Sequence, residues 1–112
     1  MDSSKVALEQ KIWVFPKGGQ HRVFPSPKSV QKGQAVTFVN MTDQEVTISD
    51  KDNNGKKFLQ ASLTLSPWNG SSAPPEQATD AIGDVGPHEY KVTVGKTLAR
   101  GGYSDPDIII DP

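Results

Sequence analysis

Apolar residues recur at every second position along much of this chain, and that alternation limits its folds more than any other feature. Val36 and Phe38 fall on one face, with Thr37 and Val39 on the other. Val46 and Ile48 alternate with Thr47 and Ser49, and Tyr90, Val92 and Val94 alternate with Lys91 and Thr93. Leu59, Ala61, Leu63 and Leu65 alternate with Gln60, Ser62 and Thr64. Successive side chains of a strand point to opposite faces, so a period of two with β-branched residues marks strands buried on one side. Segments 12–15, 22–24 and 107–111 bring the expected total to about seven short strands. The 10 glycines and 9 prolines leave few uninterrupted windows for a helix. Seven short strands in 112 residues read as an all-β sandwich.

The length is that of one domain, residues 1–112, with 1–10 expected as a flexible N-terminus. A chain of this size buries about two-thirds of its unfolded surface, enough for a core without a staple. With 0 cysteines, neither a disulfide nor a thiolate metal site is available. Apolar runs such as Ile108-Ile109-Ile110 fall far short of a membrane span, so no membrane partner is expected. Met1-Asp2-Ser3-Ser4-Lys5 has neither the basic nor the apolar region of a signal peptide. That sets an expectation of a cytoplasmic chain, or of a mature exported form restarted with a cloning methionine.

The net charge of −1 gives no drive toward nucleic acid. The charges are unevenly spread, however. Residues 1–32 carry six Lys and Arg against two Asp and Glu, and residues 76–112 carry three against seven. Either basic and acidic strands lie side by side and neutralise each other, or a polarised face docks a charged partner.

Two connections stand out. Asn53-Asn54-Gly55 signals a tight hairpin, since Asn-Gly supplies positive φ. Residues 66–88 form a long Pro/Gly/Ser-rich connection, a feature usually functional or mobile in a small domain. Within it, Pro74-Pro75-Glu76-Gln77-Ala78 is placed to open one short helix, because proline suits the first helical turn.

Phe24-Pro25, followed by the run from Val30-Gln31-Lys32-Gly33 to Val36-Thr37-Phe38-Val39-Asn40, resembles the plastocyanin-like cupredoxins. In them a Lys-Gly-x-x-Val-Thr-Phe-x-Asn stretch leads to the first copper-binding histidine. Glu89–Val94 looks like the strand that delivers the copper cysteine, and Asp107–Asp111 like the closing strand. The resemblance spans roughly residues 20–111 and implies a cupredoxin-like Greek-key sandwich. The chain departs from the family at each ligand. Glu45 stands near the first histidine's position and Val94 near the cysteine's, and the closing loop, residues 95–106, holds no histidine or methionine. A blue-copper site needs two imidazoles and a thiolate with a weak axial ligand, so the resemblance carries the fold without that centre. Glu45, Met41, Arg100 and Tyr103 come from the loops that would flank the vacated site; either a Glu45–Arg100 pair fills it or both are solvated loop residues that contribute nothing measurable. An immunoglobulin-like or fibronectin-like sandwich is the other arrangement compatible with the pattern.

Asp50-x-Asp52-x-Asn54-Gly55 matches the opening of a calcium loop. The twelfth position is Ala61 where a bidentate glutamate belongs, and Lys56-Lys57 oppose a cation, so a polar turn accounts for the same residues. His21 and His88, the only histidines, would form with Met41 an improvised copper or zinc site if the fold gathered them. Trp68, in the long connection, suits either a partner contact or a lid on the core. Trp13 sits inside a strand and is expected to pack there. No nucleophile elbow, P-loop or zinc helix is present, so no enzyme chemistry and no cofactor are expected.

Together these features lead to a non-catalytic interaction or accessory domain that meets another protein through its loops. Trp68, Glu45, Arg100 and Tyr103 are the candidate contacts. The rival is a protein that binds copper, zinc or calcium with ligands outside the family pattern.

Overall fold

The computed structural model describes residues 10–26, 28–50, 59, 62–80, 83–101 and 106–112. Expectations for residues 1–9, the Asn53–Gly55 turn, Asp52, Ala61 and Tyr103 lie outside them. Ten strands occur among the described residues. They are β1 (Lys11–Lys17), β2 (Gln20–Phe24), β3 (Lys28–Gln31), β4 (Ala35–Asn40), β5 (Val46–Asp50), β6 (Leu63–Leu65), β7 (Glu76–Asp80), β8 (Gly86–Val94), β9 (Thr97–Ala99) and β10 (Asp107–Asp111). They form two sheets, ordered β2-β1-β4-β7 and β3-β10-β8-β5-β6, with β9 beside β8. β1 runs parallel to β4 and β3 parallel to β10; the other pairs are antiparallel. No helix of the described residues is long and apolar enough to cross a membrane.

The alternation in sequence is the burial pattern of the strands. Ile12, Val14, Val36 and Phe38 of the first sheet meet Val46, Ile48, Val92, Val94, Ile108 and Ile110 of the second, all fully buried. Phe38 and Tyr90 meet edge to face across the core, ring centroids 5.7 Å apart. Each large apolar side chain fully buried this way is worth about 1.5–3 kcal/mol, so the two facing sheets define the fold. Trp13 packs on its strand as expected, half-buried on the face opposite Ile12 and Val14, in register with Phe24 and Val39.

Three expectations are corrected. Residues 76–80 form strand β7, not the opening of a helix. β7 pairs five residues with β4, from Ala35↔Asp80 to Val39↔Glu76, and Pro75 O accepts from Asn40 N at 2.9 Å. The unpaired edge of β4 would otherwise expose its backbone groups, and that demand outweighs proline's preference for a first helical turn. The 66–88 connection is thereby shortened, since it contains β7 and runs into the start of β8 at Gly86. The closing loop likewise contains β9, which pairs with the end of β8 from Val92↔Ala99 to Val94↔Thr97.

Strand direction places the connections. β1, β4, β6 and β8 end, and β2, β5, β7 and β9 begin, at one end of the sandwich. The β1–β2, β4–β5, β6–β7 and β8–β9 connections therefore meet there, which we term the upper end. The β3–β4 and β7–β8 connections lie at the lower end.

Candidate functional site

Two of the upper connections are two-residue hairpins built on glycine. Gly18 and Gly19 have φ of 60° and 79°, the two positive values a type I′ turn requires between Lys17 and Gln20. Gly95, at φ 60°, opens the turn between Val94 and Thr97, and Thr97 Oγ1 donates to Val94 O at 3.1 Å. A side chain at Gly95 would also collide with the Gln44 amide.

The β4–β5 connection is held from inside by Asn40, which is fully buried. Asn40 Nδ2 donates to the Gln44 and Ser66 carbonyls, each at 2.8 Å. Asn40 Oδ1 accepts from Thr42 N at 2.9 Å and Thr42 Oγ1 at 2.7 Å. One amide thus ties two loops together. Trp68 N donates to Thr42 O at 2.8 Å, Met41 N to Val14 O at 2.8 Å, and Gly95 N to Glu45 O at 2.9 Å. Trp68 is half-buried, its indole Nε1 donating to Ser72 O at 2.6 Å. It is neither a core side chain nor fully exposed.

Two open depressions lie among these loops. The larger, about 730 Å³, is lined by the hairpin residues Gly19, Gln20 and His21, by Gln44, and by Gly95, Lys96, Thr97, Leu98 and Arg100. The smaller, about 370 Å³, involves Pro16, His21, Met41, Thr42, Asp43, Trp68 and Asn69. His21 borders both. Arg100 is stitched beside β2: Arg100 N donates to His21 O at 3.0 Å, and Val23 N to Arg100 O at 2.8 Å.

The fold thus gathers Met41, Glu45, Trp68, His21 and Arg100 at or beside one end. It does not gather the other candidates with them. His88 is six residues before Val94 on β8, about 20 Å toward the lower end at the usual rise per residue. It is buried, and its Nε2 donates to Asp84 O at 2.7 Å. The structure therefore does not bring the three residues of the expected His21–His88–Met41 metal site together: His21 and Met41 line one depression and His88 lies apart from it. Asp50 is also distant, at the lower end of β5, where its Oδ2 accepts from Leu59 N at 3.3 Å; its proposed calcium partners Asp52 and Asn54 lie outside the described residues. Among the described residues, no group of three His, Asp or Glu could hold a metal ion. Glu45 and Arg100 are both exposed. The interior beside them is occupied by Val46 and Val94, paired in register and fully buried.

That pairing tests the resemblance at its ligand positions. Glu45 and Val94 do converge, through Gly95 N to Glu45 O and Val46↔Val94. The donors they bring are an exposed carboxylate and an apolar side chain. These do not fit a type 1 copper centre, whose geometry depends on thiolate and imidazole.

The strand order is the Greek-key sandwich that the Lys32–Asn40 stretch implied. The fold is an all-β sandwich of two sheets. Among solved structures, the purple cupredoxin from Nitrosopumilus maritimus is similar, with a TM-score of 0.48 and 16% identity over 89% of this chain and 97% of that one. No family description and no curated protein matches the sequence.

One buried titratable group lies away from this end. The Tyr90 phenol is held far above its ordinary range, first by burial and then by the negative charge of Asp107. Sequence reasoning missed Asn40 as the clamp, Gln44, and the Gly18-Gly19 hairpin. Gly-Gly between alternating segments is itself a hairpin signal, and an Asn two residues before a Thr is one for a local turn.

Proposed function

We propose that this chain is a non-catalytic interaction domain, a cupredoxin-like sandwich without blue copper that offers loops to a protein partner. The observation that carries this reading is the convergence of four connections at one end, around two adjoining depressions. Binding residues are commonly set on loops positioned by a rigid scaffold, and here Asn40 fixes the loop backbone from within. Trp68 supplies a partly exposed aromatic surface on a braced loop, a side chain favoured at the centre of interfaces.

Photo-crosslinking tests the proposal. A photoreactive residue replaces Asn69 or Gln44 at the upper end, or Lys32 at the lower end, in cells that make the protein. Asn69 and Gln44 should each give the same discrete adduct, and Lys32 should not. Equal labelling from all three positions, or none from the upper end, contradicts the proposal.

One observation favours a second reading. His21, Met41 and Asp43 line the same smaller depression, and imidazole with thioether suits a soft copper ion. A metal-handling protein of that kind would be stabilised selectively by its ion.

A further inference from the structure

We infer that the outer edge of β7 receives an extended segment of a protein partner that carries two basic side chains four residues apart. The inference goes beyond the loop reading: β7 leaves the upper end at Glu76, and its edge is a separate surface.

The register fixes which backbone groups of β7 are open. Asn40 N donates to Pro75 O at 2.9 Å, and bonded positions alternate along an antiparallel pair, so Gln77 and Thr79 also turn their backbone groups toward β4. Glu76, Ala78 and Asp80 turn theirs the other way. β7 ends its sheet, and no hydrogen bond to a described residue meets those three outward N–H and C=O groups. None of the five side chains of β7 is buried, so nothing described covers the strand from either face.

The other sheet edges are treated differently. β2 is closed by Arg100, through Val23 N to Arg100 O at 2.8 Å and Arg100 N to His21 O at 3.0 Å. β3 is capped by Gln34, whose Oε1 accepts from Gln31 N at 3.0 Å and whose N donates to Gln31 O at 2.9 Å. β6 and β9 are three residues each. Proteins commonly blunt their edges in these ways, because an open edge is a template for another strand. Among the described residues, β7 is the edge left both long and open.

Its side chains choose the occupant. Glu76, Ala78 and Asp80 share one face, with the two acids flanking the small residue. In-register pairing with a second copy of β7, in either direction, would set acid against acid, which is destabilising. A strand with Lys or Arg opposite Glu76 and Asp80 gains at both positions instead. Lys11 pairs with Glu76 at 3.3 Å, but it reaches across from the β4 side, and both partners are solvent-accessible. Such a surface pair contributes little and leaves the outward side of Glu76 open. Asp80 is exposed and has no ion pair among the described residues. Main-chain bonds would hold the segment and the two charges would select it, the division of labour of strand addition.

The probe is a fluorescein-labelled peptide, Ser-Gly-Ser-Lys-Thr-Val-Thr-Lys-Ser-Gly-Ser, followed by fluorescence anisotropy with the intact protein. It should bind, and the same peptide with glutamates for lysines should not. Ala78→Pro deletes an outward N–H and nothing that β4 uses, so circular dichroism should show it folded. It should weaken binding at least about tenfold. Glu76→Gln with Asp80→Asn should weaken it about fivefold. Amide hydrogen exchange on the parent protein reads the same contact without a variant. With peptide bound, Ala78 N–H should exchange at least about tenfold more slowly, while Gln77 N–H, already bonded to β4, changes less. No binding, equal binding by the glutamate peptide or by folded Ala78→Pro, or an unprotected Ala78 N–H overturns the inference. Protection of Ala78 N–H on concentrating the protein alone would make a second copy the occupant and overturns it too. The Asn69 and Gln44 crosslinks test the loop reading separately.

Discussion

The two ends of this sandwich are built from the same strands yet use their buried polar groups in opposite ways. At the upper end Asn40 spends all four of its hydrogen bonds on loop backbone and on Thr42, bracing connections that surround open space. At the lower end His88 turns inward from β8 and secures a neighbouring carbonyl at Asp84. A buried amide with donor and acceptor both engaged can order several segments at once, as Asn40 does for the β4–β5 loop and the segment at Ser66. The contrast teaches how the upper loops hold their shape: their anchor lies beneath them.

The largest effect should come from that anchor. Asn40→Ala removes the partner of the Ser66 carbonyl and of Thr42 N, leaving Gln44 O only its bond from Thr42 Oγ1, and should cost about 3 kcal/mol in a urea melt. His88→Ala should cost less, about 1–2 kcal/mol. Equal losses would mean that the two ends are braced alike.

Two glycines sharpen the comparison. Gly95 at the upper end and Gly33 at the lower both have positive φ, at 60° and 82°. An alanine strains either by about 1–2 kcal/mol. At Gly95 the new methyl also meets the Gln44 amide, while at Gly33 it meets open space. Gly95→Ala should therefore be the more destabilising, and the Gly95→Ala, Gln44→Ala double variant should recover part of the difference. No recovery would mean that Gln44 is not packed against the hairpin.

Between the ends, Tyr90 sets an alkaline limit. Its folded-state pKa lies above the unfolded value of about 10, so its contribution is complete below that pH and is lost as pH rises further. Stability should fall above about pH 10, and Tyr90→Phe should flatten that fall. Absorbance titration should show one phenol ionising only on unfolding. Ionisation of both tyrosines in the folded protein would contradict the burial of Tyr90.

The smallest stability effect is expected at Trp68. Half-exposed, it should tolerate Trp68→Ala with a loss of about 1 kcal/mol. A loss of several kcal/mol would make it a lid on the core and remove it from the proposed contacts.

Where a strand has one buried face, its alternation was legible and the core followed: Val36, Phe38, Val46, Ile48, Tyr90, Val92 and Val94 are all inside. β7 and β9 were not legible for the same physical reason. Glu76–Asp80 contributes no buried side chain and Thr97–Ala99 only Ala99, so neither carries the signal that alternation reads. The candidate site was half visible. Trp68, Met41 and Arg100 stood out by residue type and loop position, whereas Asn40 acts through hydrogen bonds that depend on the arrival of Ser66 from 26 residues away. His88 reads as a turn residue and is nonetheless buried, because β8 begins earlier than its apolar alternation suggests.

The central claim is that the upper loops, and no metal, carry the function. Elemental analysis of freshly purified protein, followed by thermal melts with Cu(II), Zn(II) and Ca(II) in turn, tests it most directly. The account predicts no stoichiometric metal and no selective rise in Tm. Stoichiometric copper, or a rise of several degrees with one ion at low excess that disappears in His21→Ala or Met41→Ala, would contradict it.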